Sequence, residues 1–225
     1  MKVILFGASG MVGQGVMREC LLDPEVQAVL SVGRSASGQT HAKLRELVHR
    51  DFTDFTPIAA ELTGHDACFF CLGVSSAGMK EADYRRVTYD FTLAAAEVLA
   101  RQNPSMTFIY VSGTGTDSSE KGRSMWARVK GQTENALLRL PSPFKAYMFR
   151  PGAIQPLHGI KSKTRLYRAG YLVMAPFWPA LRALFPRNVI TTEQVGRAML
   201  AVAKRSHDPT LPKLLENQDI ARLAG

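Results

Sequence analysis

Cysteine is scarce in this 225-residue chain, and the few present sit in apolar runs. Cys20, Cys68 and Cys71 are too few for a disulfide framework, which leaves stability to a hydrophobic core and suits a reducing compartment, the cytoplasm. Cys68 and Cys71 are spaced as C-x-x-C, yet an offset of three along a strand points them to opposite faces, so they read as buried filler and not as a redox pair. The histidines, His41, His49, His65, His158 and His207, form no cluster, and no metal site is expected. No apolar run reaches the roughly 20 residues of a membrane-spanning helix; the greasiest stretch, residues 170–185, is interrupted by Pro176, Pro179 and Arg182. The first apolar run is cut short by glycine, so a secretory leader is not expected. Linkers, repeats and low-complexity tracts are lacking too. The expectation is one domain over residues 1–225, with 155–188 as a small substrate or cap lobe.

Acidic residues are short in one half only. Residues 1–120 carry 10 Lys and Arg against 14 Asp and Glu, whereas residues 121–225 carry 18 against 5, and the whole chain stands at +9. A basic C-terminal half attracts anionic small molecules, cofactor phosphates or a membrane surface peripherally. A homodimer is compatible with this composition. Nucleic acid is not an expected partner, because aromatics are not interleaved with the basic residues.

What is present is organised around the first fifteen residues, MKVILFGASGMVGQG. The spacing predicts a strand over Lys2–Phe6 that runs into Gly7, Gly10 and Gly13 and then a helix over Met11–Leu22. Such a turn leaves the first helical amides unpaired, and the helix dipole adds a partial positive charge at the same point, which together make a pyrophosphate cradle. Gly7, Ser9, Gly10, Met11, Val12 and Gly13 are therefore cofactor-binding candidates.

Further strands are expected at Gln27–Gly33, Leu47–Arg50, Asp66–Leu72, Met106–Val111 and Phe144–Phe149, and helices at Glu81–Arg101, Arg123–Leu140 and Thr192–Lys204, the last with a capping box from Thr191 and Gln194. Six alternations of this kind argue an α/β fold, a doubly wound parallel sheet with helices on both faces. Arg34 follows the second strand, where the adenosine ribose is met; a guanidinium suits a 2′-phosphate, so NADP(H) is favoured, with NAD(H) allowed. Asp51 can accept from an adenine amino group beside Phe52, or simply cap a turn. Leu72 and Gly73 end the apolar fourth strand, and Pro151, Gly152 and Ile154 follow the sixth; all are cofactor-binding candidates.

The glycine spacing, Asp51, the Ser112/Thr114 strand end, the W-x-x-x-K of Trp126 to Lys130 and the R-P-G of Arg150 to Gly152 resemble the short-chain dehydrogenase/reductase superfamily. Within it the chain is similar to the small atypical and extended members, near the Tat-interacting-protein-like oxidoreductases and the nucleoside-diphosphate-sugar epimerases. The resemblance implies a Rossmann fold and a Ser/Thr hydroxyl that positions a substrate oxygen. It also implies a tyrosine that delivers or removes its proton and a lysine four residues later that lowers the tyrosine pKa and holds the nicotinamide ribose, which makes Lys130 a cofactor-binding candidate too. Thr114 or Ser112 fits the first role and Lys130 the last, while Trp126 stands in the tyrosine's place. An indole N–H does not ionise usefully. Either Lys130 transfers the proton, or Tyr89 or Tyr167 reaches in, or the protein binds dinucleotide without turnover as a cofactor-sensing or scaffold protein. The activity implied is that of an NADP(H)-dependent oxidoreductase or epimerase-like enzyme on a small carbonyl or hydroxyl compound, anionic if Lys161, Lys163, Arg165 and Arg168 rim its pocket.

Overall fold

The computed structural model describes residues 1–160, 178, 181 and 188–225. Its centre is a sheet in which every pairing is parallel, a geometry that demands apolar strands covered on both faces. The strands are β1 (Lys2–Phe6), β2 (Ala28–Gly33), β3 (Leu44–Val48), β4 (Ala67–Phe70), β5 (Thr107–Val111), β6 (Lys145–Arg150) and, after the short β7 (Ala153–Gln155) and β8 (Val189–Thr191), β9 (Leu214–Glu216). The seven-stranded order is β3-β2-β1-β4-β5-β6-β9, with β7 and β8 as a separate parallel pair. The order reverses between β1 and β4, the point where an open α/β sheet leaves a crevice beyond its strand ends.

One face is covered by α1 (Met11–Leu22) and α5 (Thr192–Lys204), whose Val16, Cys20, Val195 and Met199 join Leu5, Phe69 and Phe149 in one core. The opposite face is covered by α3 (Phe91–Gln102) and the end of α4 (Met125–Leu138), with Ala95, Leu99 and Leu137 packed on Phe6, Phe70 and Phe108. Cys68 and Cys71 do separate between these two layers. The capping box of α5 forms as its sequence spacing requires: Gln194 N donates to Thr191 Oγ1 at 3.0 Å and Thr191 N to Gln194 Oε1 at 2.9 Å.

Several elements differ from expectation. The third strand starts at Leu44 and not Leu47, because β3 is an edge strand whose adjacent charges, Arg45 and Glu46, interrupt its apolar period. The long helix from Glu81 is α2 (Glu81–Arg85), a π-helical turn over Arg86–Asp90, and then α3. A ninth strand, β9, extends the sheet beyond β6; its three residues are too short to show a period. The expected lobe at 155–188, with Tyr167 and the basic residues from Lys161 to Arg168, lies largely outside the described residues.

Candidate active site

At Gly7 and Gly13 the turn at the end of β1 is built by close contacts that exclude any other residue. Gly7 has φ +78°, and a Cβ on Gly13 would fall 2.0 Å from the Gly7 carbonyl oxygen, so α1 starts hard against its own strand. Gly10 occupies the N-cap position with no side chain capping the helix, and no acidic residue lies in the first turn. The leading amides of α1 are thus left for an external acceptor, and the site has the charge and bare backbone that a diphosphate requires.

Two adjoining cavities open beside this turn. One, of about 210 Å³, is lined by Gly7, Ser9, Gly10, Arg34, Leu72 and Gly73 among others; the second, of about 100 Å³, by Ser31, Arg34, Ser35, Ser37, Glu46 and Phe52 among others. Arg34 is exposed at the end of β2, and Arg34, Phe52 and Leu72 border both cavities. Phe52 itself is buried, edge-on to Phe6 and Phe55, and forms an apolar floor. Met11 and Val12 are half-buried on α1 against the core. Asp51 adopts the turn-capping alternative: its carboxylate accepts from Thr53 N at 2.9 Å and Thr53 Oγ1 at 2.5 Å, and these bonds hold it below the usual carboxylate range. Asp51 is absent from the lining of either cavity.

Sequence reasoning missed Glu46, Ser37, Val87 and Phe91. The last two reach the larger cavity from the π-helical turn and the start of α3. A π segment in a helical pattern is the one signal that a strict 3.6 period conceals.

The second half of the site gathers at the ends of β5 and β6. Lys130 Nζ donates to the Ser112 carbonyl, and burial brings its pKa down to about 8 although Glu134, one turn on, opposes the shift. Thr114 is exposed; its N–H donates to the Pro151 carbonyl at 2.9 Å and its hydroxyl to the Arg150 carbonyl at 3.1 Å, which ties the β5 end to the R-P-G turn. Thr114 and Gly152 border a further cavity of about 420 Å³ with Ala153, Asn188 and residues 216–218.

Ser112 does not share this access. It is 5 % exposed and donates to the fully buried Glu134 at 2.5 Å. Glu134 also accepts from Arg150, with Nη2 to Oε2 at 2.5 Å, and Arg150 reaches Ser118 Oγ and Glu216. This network clamps α4 to β5, β6 and β9, and it engages the buried Ser112 hydroxyl. Ile154 likewise buries its side chain in the core. Trp126 packs over Gly115, and Tyr89 lies under the Arg85 guanidinium at 4.1 Å.

A sequence model of the NAD(P)H-binding family matches residues 7–153, from the first glycine to the start of β7. The chain belongs to that family. Among curated relatives of this NAD(P)H-binding protein is HTATIP2 of Rattus norvegicus, 28 % identical over 68 % of this chain. The chain spans 62 % of that relative's length. FMP52, mitochondrial, of Meyerozyma guilliermondii is 23 % identical over 96 % of this chain and 90 % of its own. A solved oxidoreductase of the short-chain dehydrogenase/reductase family from Burkholderia thailandensis superposes over 100 % of this chain and 93 % of its own, at TM-score 0.71 and 16 % identity. The expected Rossmann fold and the resemblance to the Tat-interacting-protein-like oxidoreductases therefore hold.

Proposed function

We propose that this NAD(P)H-binding protein is an NADP(H)-dependent oxidoreductase acting on a carbonyl or hydroxyl compound, with Thr114 and Lys130 at the reacting end. The observation that carries the reading is Lys130: its ammonium donates to the Ser112 carbonyl just past β5, at the same sheet edge as the glycine cradle, and burial depresses its pKa. Bound nicotinamide supplies or accepts a hydride. Thr114 rotates its hydroxyl from the Arg150 carbonyl to the substrate oxygen, which fixes the carbonyl at the mouth of the 420 Å³ cavity. With a pKa of about 8, Lys130 is mostly protonated at pH 7 and gives up its proton more readily than an ordinary lysine; it is the general acid where Trp126 cannot be one. The first turn of α1 holds the diphosphate, and Arg34 pairs with a 2′-phosphate. The unpaired thiols of Cys20, Cys68 and Cys71 suit a reducing compartment such as the cytoplasm.

A second reading is favoured by Trp126, whose ring lies 3.4 Å from where a Cβ on Gly115 would be, so that an inert indole fills the tyrosine's ground. On that reading the protein binds dinucleotide without turnover. The two separate in one experiment. NADPH oxidation is followed against a panel of aldehydes and ketones with wild type and Lys130→Ala. The oxidoreductase reading requires turnover that the variant loses by at least tenfold in kcat; binding of NADPH with no turnover on any panel member supports the second.

A further inference from the structure

Glu46 is a carboxylate on an edge strand that nothing in the glycine motif calls for, yet it borders the smaller cavity beside Arg34. In the β2–β3 register it lies opposite Ser31, and both face the cavity. Its Oε1 accepts from Ser37 N at 2.7 Å, and the Gly38 amide donates to the same carboxylate. Two consecutive amides gripping one anion form a small nest. These bonds keep Glu46 ionised, below the usual carboxylate range, despite its partial burial. Ser37 in turn accepts from Gln39 N through its hydroxyl at 3.2 Å. The loop that follows Arg34 is thus curled back onto β3 by a single side chain. Arg34 has no ion-pair partner among the described residues, so its guanidinium is available to an anion arriving in the cavity.

We infer that Glu46 is a positioning residue for coenzyme choice: by anchoring the Ser37 and Gly38 amides it sets the loop so that Arg34, Ser35 and Ser37 converge on one cavity beside the glycine turn. The inference rests on Arg34 reading the 2′-phosphate. A loose loop would still leave the glycine cradle intact, and binding of the unphosphorylated coenzyme would depend on it little. The negative charge of Glu46 serves the two amides rather than opposing the phosphate.

The test is titration of NADPH and NADH by fluorescence into wild type, Arg34→Ala, Glu46→Ala and Glu46→Gln. Glu46→Ala weakens NADPH by about tenfold, the loss expected when bonds to a charged acceptor are given up, and NADH by less than about twofold. Glu46→Gln keeps an acceptor oxygen for the amides and restores NADPH binding to within about threefold of wild type. Equal loss of both coenzymes in Glu46→Ala, or no loss of either, overturns the positioning role. Tighter NADPH binding by Glu46→Gln overturns it too, since the charge would then be working against the phosphate. An NADPH/NADH ratio unchanged in Arg34→Ala refutes the Arg34 reading and this inference with it. A ratio that moves in Arg34→Ala but stays put in Glu46→Ala removes Glu46 alone.

Discussion

Replacing Glu134 by glutamine tests the buried network directly. The carboxylate is fully buried and accepts from Arg150 Nε and Nη2 and from Ser112 Oγ, while the Arg150 side chain is 11 % exposed. Removing one charge from such a pair costs about 3–5 kcal/mol, because the other charge stays desolvated without its partner. Here the lower end applies, about 3 kcal/mol, since Glu216 still faces Arg150 Nη1 at 3.2 Å and is itself half exposed. For a domain of this size that corresponds to a fall in Tm of roughly 6–12 °C, read by thermal and urea unfolding. The double variant Glu134→Leu/Arg150→Met removes both charges and should cost less than the sum of Glu134→Leu and Arg150→Met made singly, a coupling that separate lesions would not show. A single variant within about 1 kcal/mol of wild type, or strict additivity, would refute the claim that Glu134 is a structural hub. Because Glu134 also holds the Lys130 pKa up, the single variant should move that pKa further below about 8, visible by NMR of methylated lysines.

The remaining predictions concern the cofactor cradle and Lys130. Gly13→Ala should abolish detectable NADPH binding in calorimetry, because its Cβ would meet the Gly7 carbonyl oxygen at 2.0 Å and push α1 off its strand; retained affinity would show that this contact does not shape the cradle. Arg34→Asp should weaken NADPH by at least tenfold while sparing NADH, whereas equal loss would place the 2′-phosphate elsewhere. The folded-state pKa of Lys130, about 8, lies below its ordinary value of 10.5, so the unfolded chain binds more protons between those values and stability rises with pH across that window. Lys130→Met should flatten that rise in urea titrations, and an unchanged slope would mean the ammonium is not desolvated. If Lys130 is the acid, carbonyl reduction falls as pH climbs through about 8, and a flat profile there would exclude it.

Local signals located most of the frame. An apolar strand, a glycine triplet and a helical period within fifteen residues are enough to specify β1, the turn and α1, because each depends on neighbours a few positions away. The same holds for the α5 capping box, whose donors and acceptors are three residues apart. Buried β4 announced itself as an unbroken apolar run, and β5 and β6 as mainly apolar stretches around Thr107 and Lys145.

The rest needed partners distant in sequence. Ser112 and Thr114 look alike on the chain, two hydroxyls after one strand. Only the approach of Glu134 and Arg150 buries the first and leaves the second facing a cavity. On the chain Asp51 could serve adenine or a turn, and only the fold shows one of its oxygens bonded to Thr53. Glu46 carries no motif, and it enters the site because β3 pairs with β2 in the register that sets it opposite Ser31. Sequence thus determined where the backbone must bend and bind, since φ and helix amides are local properties. Tertiary structure decided which side chains keep their charges and hydroxyls free, since desolvation and hydrogen-bond saturation depend on whatever packs against them from elsewhere.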